Sequence, residues 1–164
     1  MKEKLEEFIV ESLGFLPAEI IVIIVSALPI LELRGGLPLA YLHYDFSLLK
    51  SSILSILGNI LPIIPILILF QPLSKWLRRF NWYRKMYDWL YNRTMKKSGS
   101  VEKFGAIGLM LFTALPLPTT GAYSACVAAI IFGIRFRYAF LSITAGVLIA
   151  ALIVSLGLAS FSLF

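Results

Sequence analysis

"ALPILELRGGLPLAY" (residues 27–41) is the stretch whose reading decides how this chain folds. It sets a glutamate and an arginine two positions apart, then Gly35, Gly36 and Pro38, within an otherwise apolar run. Ahead of Glu32, Ile20 to Leu31 holds only 12 uncharged residues, and a similarly short run follows to Tyr44. A helix rises about 1.5 Å per residue and the bilayer's hydrocarbon core is about 30 Å thick, so a crossing takes about 20 residues. Neither arm is that long. Two half-length helices meeting at a break predict a re-entrant hairpin with the charges near its tip. Irregular backbone at membrane depth is tolerated only where it is packed in protein or faces a watery cavity. The alternative is a single long, kinked and tilted crossing, because Pro and Gly are common in membrane helices.

The rest of the chain fits a membrane setting. Apolar residues make up 59% of the 164, far above the usage of a soluble domain. Ser51 to Ser74 runs 24 residues without a charge, and Tyr138 to Phe164 runs 27. Both are predicted transmembrane helices, the first kinked where Pro62 and Pro65 remove backbone donors. Phe104 to Ile134 is uncharged over 31 residues, too many for one straight crossing and too few for two. Pro116, Pro118 and Gly121 break it near its middle, which predicts a second hairpin. The N-terminus mixes acids with lysines and offers no small-residue cleavage site, so insertion without a cleaved signal peptide is expected.

Shifting the sequence by 87 residues lays Ala27-Leu28-Pro29 on Ala114-Leu115-Pro116 and Leu54-Ser55-Ile56 on Leu141-Ser142-Ile143. Lys50 then falls on Arg137, each just ahead of a long apolar run. Only 10 of 57 positions from Gly14 to Phe70 are identical, so the order of features carries the repeat. A hairpin plus one crossing spans the membrane an odd number of times, so two such copies must be inverted. The expected fold class is therefore all-α and integral to the membrane: two inverted pseudo-repeats, each a re-entrant helical hairpin plus a transmembrane helix. Within one membrane domain, residues 1–13 are expected to form an amphipathic helix, 14–74 the first repeat, 75–103 a basic interfacial segment and 104–164 the second repeat.

Nine of the fifteen Lys and Arg residues lie between Lys75 and Lys103. That bias places the central loop in the cytoplasm and, with hairpins, both termini outside a multi-pass cell-membrane protein. Lys75, Trp76, Arg78, Arg79, Arg84 and Lys85 interleave bases with aromatics, the pattern of a helix lying on anionic headgroups. Nucleic-acid binding would draw on the same residue types, but beside two membrane helices it is not expected. One cysteine and one histidine leave little for a metal site, and no nucleotide loop or hydrolytic constellation is present. No cofactor and no enzyme activity are expected.

"PILELRGGLP" and "ALPLPTTGAYSACVAAIIFG" together resemble the small multidrug export protein family of archaea and bacteria, which is similar to the wider DedA superfamily. The resemblance covers nearly the whole chain and implies two re-entrant hairpins in an inverted pseudo-repeat. It also implies proton-dependent drug tolerance or the movement of phospholipid or polyprenyl phosphate, with Glu32 and Arg34 as the functional acid and base. DedA-like proteins usually carry an arginine near the second hairpin, where this chain has Thr119, Thr120 and Gly121.

On the residues themselves, burial disfavours the Glu32 carboxylate while a nearby guanidinium favours it, so substrate binding can switch it. Gly35 and Gly36 are expected to let the backbone turn and expose N–H groups. Thr119, Thr120 and Gly121 offer uncharged hydrogen bonds, and Asn59 is the one amide of the first long helix. The leading expectation is a transporter for an amphiphilic substrate such as a lipid phosphate, with proton coupling. The alternatives are a proton-coupled exporter of small cationic drugs and a non-transporting scaffold binding anionic lipids. Membrane lipids, an amphiphilic or small-molecule substrate, protons and a second copy in a homodimer are the expected partners.

Overall fold

The structure, a computed structural model, describes residues 15–69, 79–81, 84–85, 88, 101–115, 121–132 and 134–161. Among them every regular element is helical. Helix α1 (Ala18–Ser26) starts behind Pro17, whose ring fixes the extended turn into the helix, and Glu19 sits in its first turn. It stops at Ala27, whose N–H is shared between the carbonyls of Ile23 and Ile24. A turn through Leu28, Pro29 and Ile30 leads to α2 (Glu32–Pro38), which runs on into a π-helical turn (Leu39–His43). Pro38 has no N–H to return to Arg34. The ladder widens behind it, and Tyr44 N–H reaches back five residues to the Leu39 carbonyl at 3.2 Å.

Ser47 caps α3 (Leu48–Ile60), its hydroxyl accepting the Lys50 N–H at 3.4 Å. Helical bonding is interrupted at Leu61 and Pro62 and resumes over 63–69, where Pro62 and Pro65 deny donors to the carbonyls four residues back. In the second half lie α4 (Val101–Ala114), α5 (Ala122–Ile131) and α6 (Phe136–Phe161). The chain divides into two compact units, one made of residues up to Pro62 and from Val147 onward, the other of Ile63–Gly146.

In the first unit α1, α2 and α3 pack on one another. Ile21, Val25, Leu31 and Leu39 form its apolar centre, with Leu16, Leu28 and Tyr44 against it. The helices approach to backbone contact. A β-carbon on Gly58 of α3 would overlap the Ile23 carbonyl oxygen and come within 2.8 Å of Ser26 Cβ, and one on Gly36 of α2 would overlap Ser26 Oγ. Lys50 closes the opposite end, with Nζ 2.7 Å from Glu19 Oε1 and 3.7 Å above the Phe46 ring. Glu19 therefore lies level with Lys50, and seven residues later Ser26 lies level with Gly58, eight residues beyond Lys50. Helices α1 and α3 run side by side in the same direction. The chain leaves the Lys50 level at Glu19 and is back beside it at Phe46. In this unit α6 meets α3 through the Ser52 and Ser155 hydroxyls, 2.9 Å apart.

In the second unit α4 packs on α5, and Leu109, Ala125, Cys126 and Ala129 of these helices are buried. Gly146 of α6 lies so close to α4 that a β-carbon there would stand 2.5 Å from Thr113 Cβ. Cys126 is a fully buried packing residue, as its alanine-rich surroundings suggest.

Two helices are long and apolar enough to cross a membrane: Leu48–Leu69 (22 residues) and Phe136–Ser160 (25 residues). The core helix of a soluble protein is mostly buried, but these are only 28% and 33% buried. Leu49, Ile53, Leu57, Leu61, Ile64 and Ile68 form an exposed row on the first, and Leu141, Leu148, Leu152 and Leu156 on the second. Such rows suit a lipid solvent. The spans match those expected from the uncharged runs, except that the Ser47 cap starts the first three residues earlier and the second starts two residues earlier, at Phe136; residues 70–74 and 162–164 lie outside the described ones. The expected N-terminal helix over residues 1–13 lies outside them too. Helices α1, α2 and α5, of 9, 7 and 10 residues, extend only about 10–15 Å and cannot cross.

Two outcomes follow from this packing. Gly58→Ala forces α1 and α3 apart and is expected to lower stability by about 2 kcal/mol. Gly157→Ala, where nothing lies within 4 Å, is expected to be neutral or to stabilise by up to about 1 kcal/mol. Thermal unfolding of the two variants in detergent compares them. The Lys50 hydrogen bond also holds the Glu19 carboxyl below its usual range. A depressed carboxyl contributes fully above the unfolded value and loses that contribution as the pH falls through the folded one. Wild-type Tm is thus expected to fall more than that of Glu19→Gln on acidification below about pH 4.3.

Candidate functional site

Glu32 opens α2 directly behind the turn. It is 9% exposed and its backbone is left-handed, with φ of 51°. For an L-residue with a long side chain that conformation costs about 1 kcal/mol or more, and it persists only where the surroundings enforce it. Here the Glu32 N–H is held by the Leu28 carbonyl at 2.9 Å, while Leu31 and Leu33 on either side are buried. A carboxyl is thereby fixed inside an apolar unit. Arg34 follows within two residues, half-buried and within the field of the Glu32 carboxylate. Acid and base thus share one short helix whose other residues are apolar or glycine.

The two glycines do a different job from the expected one. Neither forms the turn, which lies earlier, over Ala27–Leu31; both are helical and buried. The Gly35 N–H is not offered to a ligand but donates to the Leu31 carbonyl at 2.9 Å. The physical reason is space: α1 presses Ser26 onto Gly36, and only a residue without a side chain lets the helices meet there.

Asn59 is buried at 3% exposure beside Gly58, on the face of α3 turned toward α1. At 100° per residue Ser51, Ser55, Gly58 and Asn59 fall within an arc of roughly 100°, and all four are buried. Ser26 packs on Gly58 between Ser55 and Asn59 in the sequence of α3, and the sequence reading passed over both serines. The signal was present as Ser51, Ser55 and Asn59 at four-residue spacing in an apolar helix. The Glu19–Lys50 pair was also missed, because 31 residues separate its partners.

In the second unit Gly121 is buried, with an extended backbone at the start of α5, and its carbonyl accepts the Ala125 N–H at 3.0 Å. Thr119 and Thr120 lie outside the described residues. So do Lys75, Trp76 and Arg78, whereas Arg79, Arg84 and Lys85 are exposed, with the Arg84 N–H bonded to the Phe80 carbonyl in a helical turn.

A family model described as "Putative small multi-drug export protein" matches residues 32–153 of the chain, starting at Glu32 itself. That is 122 of 164 residues. The chain belongs to the small multidrug export family. No curated protein and no solved structure matches it. As a small multidrug export protein it is a membrane protein of an export family rather than of an enzyme class. The matched region takes in α2 through most of α6, while α1 precedes it.

The left-handed backbone at Glu32 yields a direct test. Glu32→Asn and Glu32→Gln remove the same charge, but Asn tolerates φ > 0 and Gln does not. Glu32→Asn is expected to be the more stable by about 1 kcal/mol in thermal unfolding; equal stabilities would show that the backbone there is not strained.

Proposed function

We propose that this small multidrug export protein moves an amphiphilic substrate with an anionic head, a lipid phosphate or a close analogue, across the membrane. In this reading α1, its turn and α2 form a re-entrant hairpin. The observation that carries it is the pair of contacts made by Lys50. Because one lysine touches both Glu19 and Phe46, the chain between them goes in and comes back, and Glu32 and Arg34 ride at the far end. An anionic head would meet the Arg34 guanidinium, and the apolar body would lie along the membrane. Glu32, buried beside that arginine, would take up or release a proton as the head binds and leaves. The family's similarity to DedA-like lipid movement points the same way.

An inverted repeat is supported by a correspondence between the units. The 87-residue offset carries Ser26 onto Thr113. Each of these packs against a glycine of the long helix that follows, Ser26 on Gly58 and Thr113 on Gly146. The same offset puts Thr119, Thr120 and Gly121 at the positions of Glu32, Leu33 and Arg34, so the second tip would contribute hydrogen-bonding groups without charge. The basic segment bearing Arg79, Arg84 and Lys85 is assigned to the cytoplasmic surface. The family description favours a second reading, proton-coupled export of small organic cations, in which Glu32 binds either the drug or H⁺.

Lipid movement is read in proteoliposomes by bleaching a fluorescent-headgroup lipid from outside. Wild type is expected to lose inner-leaflet protection, while Glu32→Gln and Arg34→Ala keep it. If all three leave the inner leaflet protected but wild type alone drives ethidium transport under a pH gradient, the second reading replaces the first. Neutralising Arg79, Arg84 and Lys85 together tests the scaffold alternative, which requires them for lipid binding and is indifferent to Glu32→Gln.

A further inference from the structure

The buried polar face between α1 and α3 has a use that neither lipid movement nor the Glu32–Arg34 pair requires. Ser26 Oγ, Ser55 Oγ and Asn59 Oδ1 are buried and have no hydrogen-bond partner among the described residues. They are not scattered. Ser26 packs on Gly58, and Ser55 and Asn59 flank Gly58 on the same face of α3, one helical turn apart. The Ile23 carbonyl oxygen lies against Gly58 as well. Ser26 Oγ itself is turned to Gly36 of α2, so the orphaned oxygens border the seam where α1, α2 and α3 meet, and each costs about 1–3 kcal/mol.

The field at this point has a definite sign. It is the C-terminal end of α1, the negative end of the helix dipole, and no basic residue lies in its last turn. Oxygen donors at such an end attract a cation. Their hardness excludes soft transition metals, and their neutrality disfavours a divalent ion, which dehydrates reluctantly and seeks carboxylates.

We infer that Ser26, Ser55, Asn59 and the Ile23 carbonyl form a site for a small monovalent cation, sodium in the first instance, at the C-terminal end of α1. The ion would tie α1 to α3 and so set the position of the turn that precedes Glu32. The inference rests on the first unit alone, and binding is measured without any transported substrate. Its failure and the failure of the transport reading are therefore separable.

The test uses the full chain in lipid nanodiscs at constant ionic strength in Na⁺, K⁺ or choline. Wild type is expected to bind ²²Na⁺ saturably and to unfold at a temperature on the order of 5 °C higher in Na⁺ than in choline. Asn59→Leu and Ser55→Ala are expected to lose both effects. Asn59→Leu also reads the opposite case: if the oxygens are merely orphaned, it raises Tm equally in all three salts. That result, or wild type unfolding at one temperature in all salts without saturable ²²Na⁺ binding, overturns the inference. Should either variant fail to fold, the wild-type binding and salt series decide alone.

Discussion

Backbone contact between α1 and α3, made where Ser26 and the Ile23 carbonyl rest on Gly58, governs the first unit. Without a water-driven hydrophobic effect between lipid-bathed helices, association depends on close van der Waals packing and polar contacts, and small residues permit both. The same contact explains why α2 carries a glycine at position 36. Gly36 receives the other side of Ser26, so one serine is held between two glycines on two helices. The position of α2, and with it of Glu32, follows from that arrangement.

Glu32 combines two features that folding alone does not favour, a buried carboxyl and a left-handed backbone. Strained residues persist where the surrounding structure overdetermines them, and they concentrate at binding and switching sites. The π-helical turn at Leu39–His43, a second departure from regular helix, lies within a dozen residues of it. Regular helix gives way on both sides of the short segment that carries Glu32 and Arg34.

The two long helices could be read from the sequence because a crossing is a matter of length and missing charge, both of which survive in one dimension. The half-length arms were legible for the same reason. The location of the first turn was not. Gly35 and Gly36 look like breakers in a sequence, and only the presence of Ser26 opposite shows that Gly36 serves as a packing surface. Burial of Ser26 and Ser55 was likewise hidden, since a serine facing lipid and one facing another helix are written identically. Asn59 was visible because a single amide in an apolar helix stands out wherever it points. The Glu19–Lys50 pair depends on α1 and α3 running in parallel, a relation between distant segments that local patterns do not encode.

That pair also works as a ruler. A lysine near the start of a transmembrane helix reaches toward the headgroups, and Lys50 takes Glu19 and the Phe46 ring with it. Counting inward at 1.5 Å per residue, Ser26 would fall about 11 Å and Gly58 about 12 Å beneath that level. Half the hydrocarbon thickness is about 15 Å. If α1 enters the bilayer as proposed above, its nine residues would carry a polar cluster almost to the middle from one side. A headgroup entering from that side would have only the remaining half-thickness left to cross.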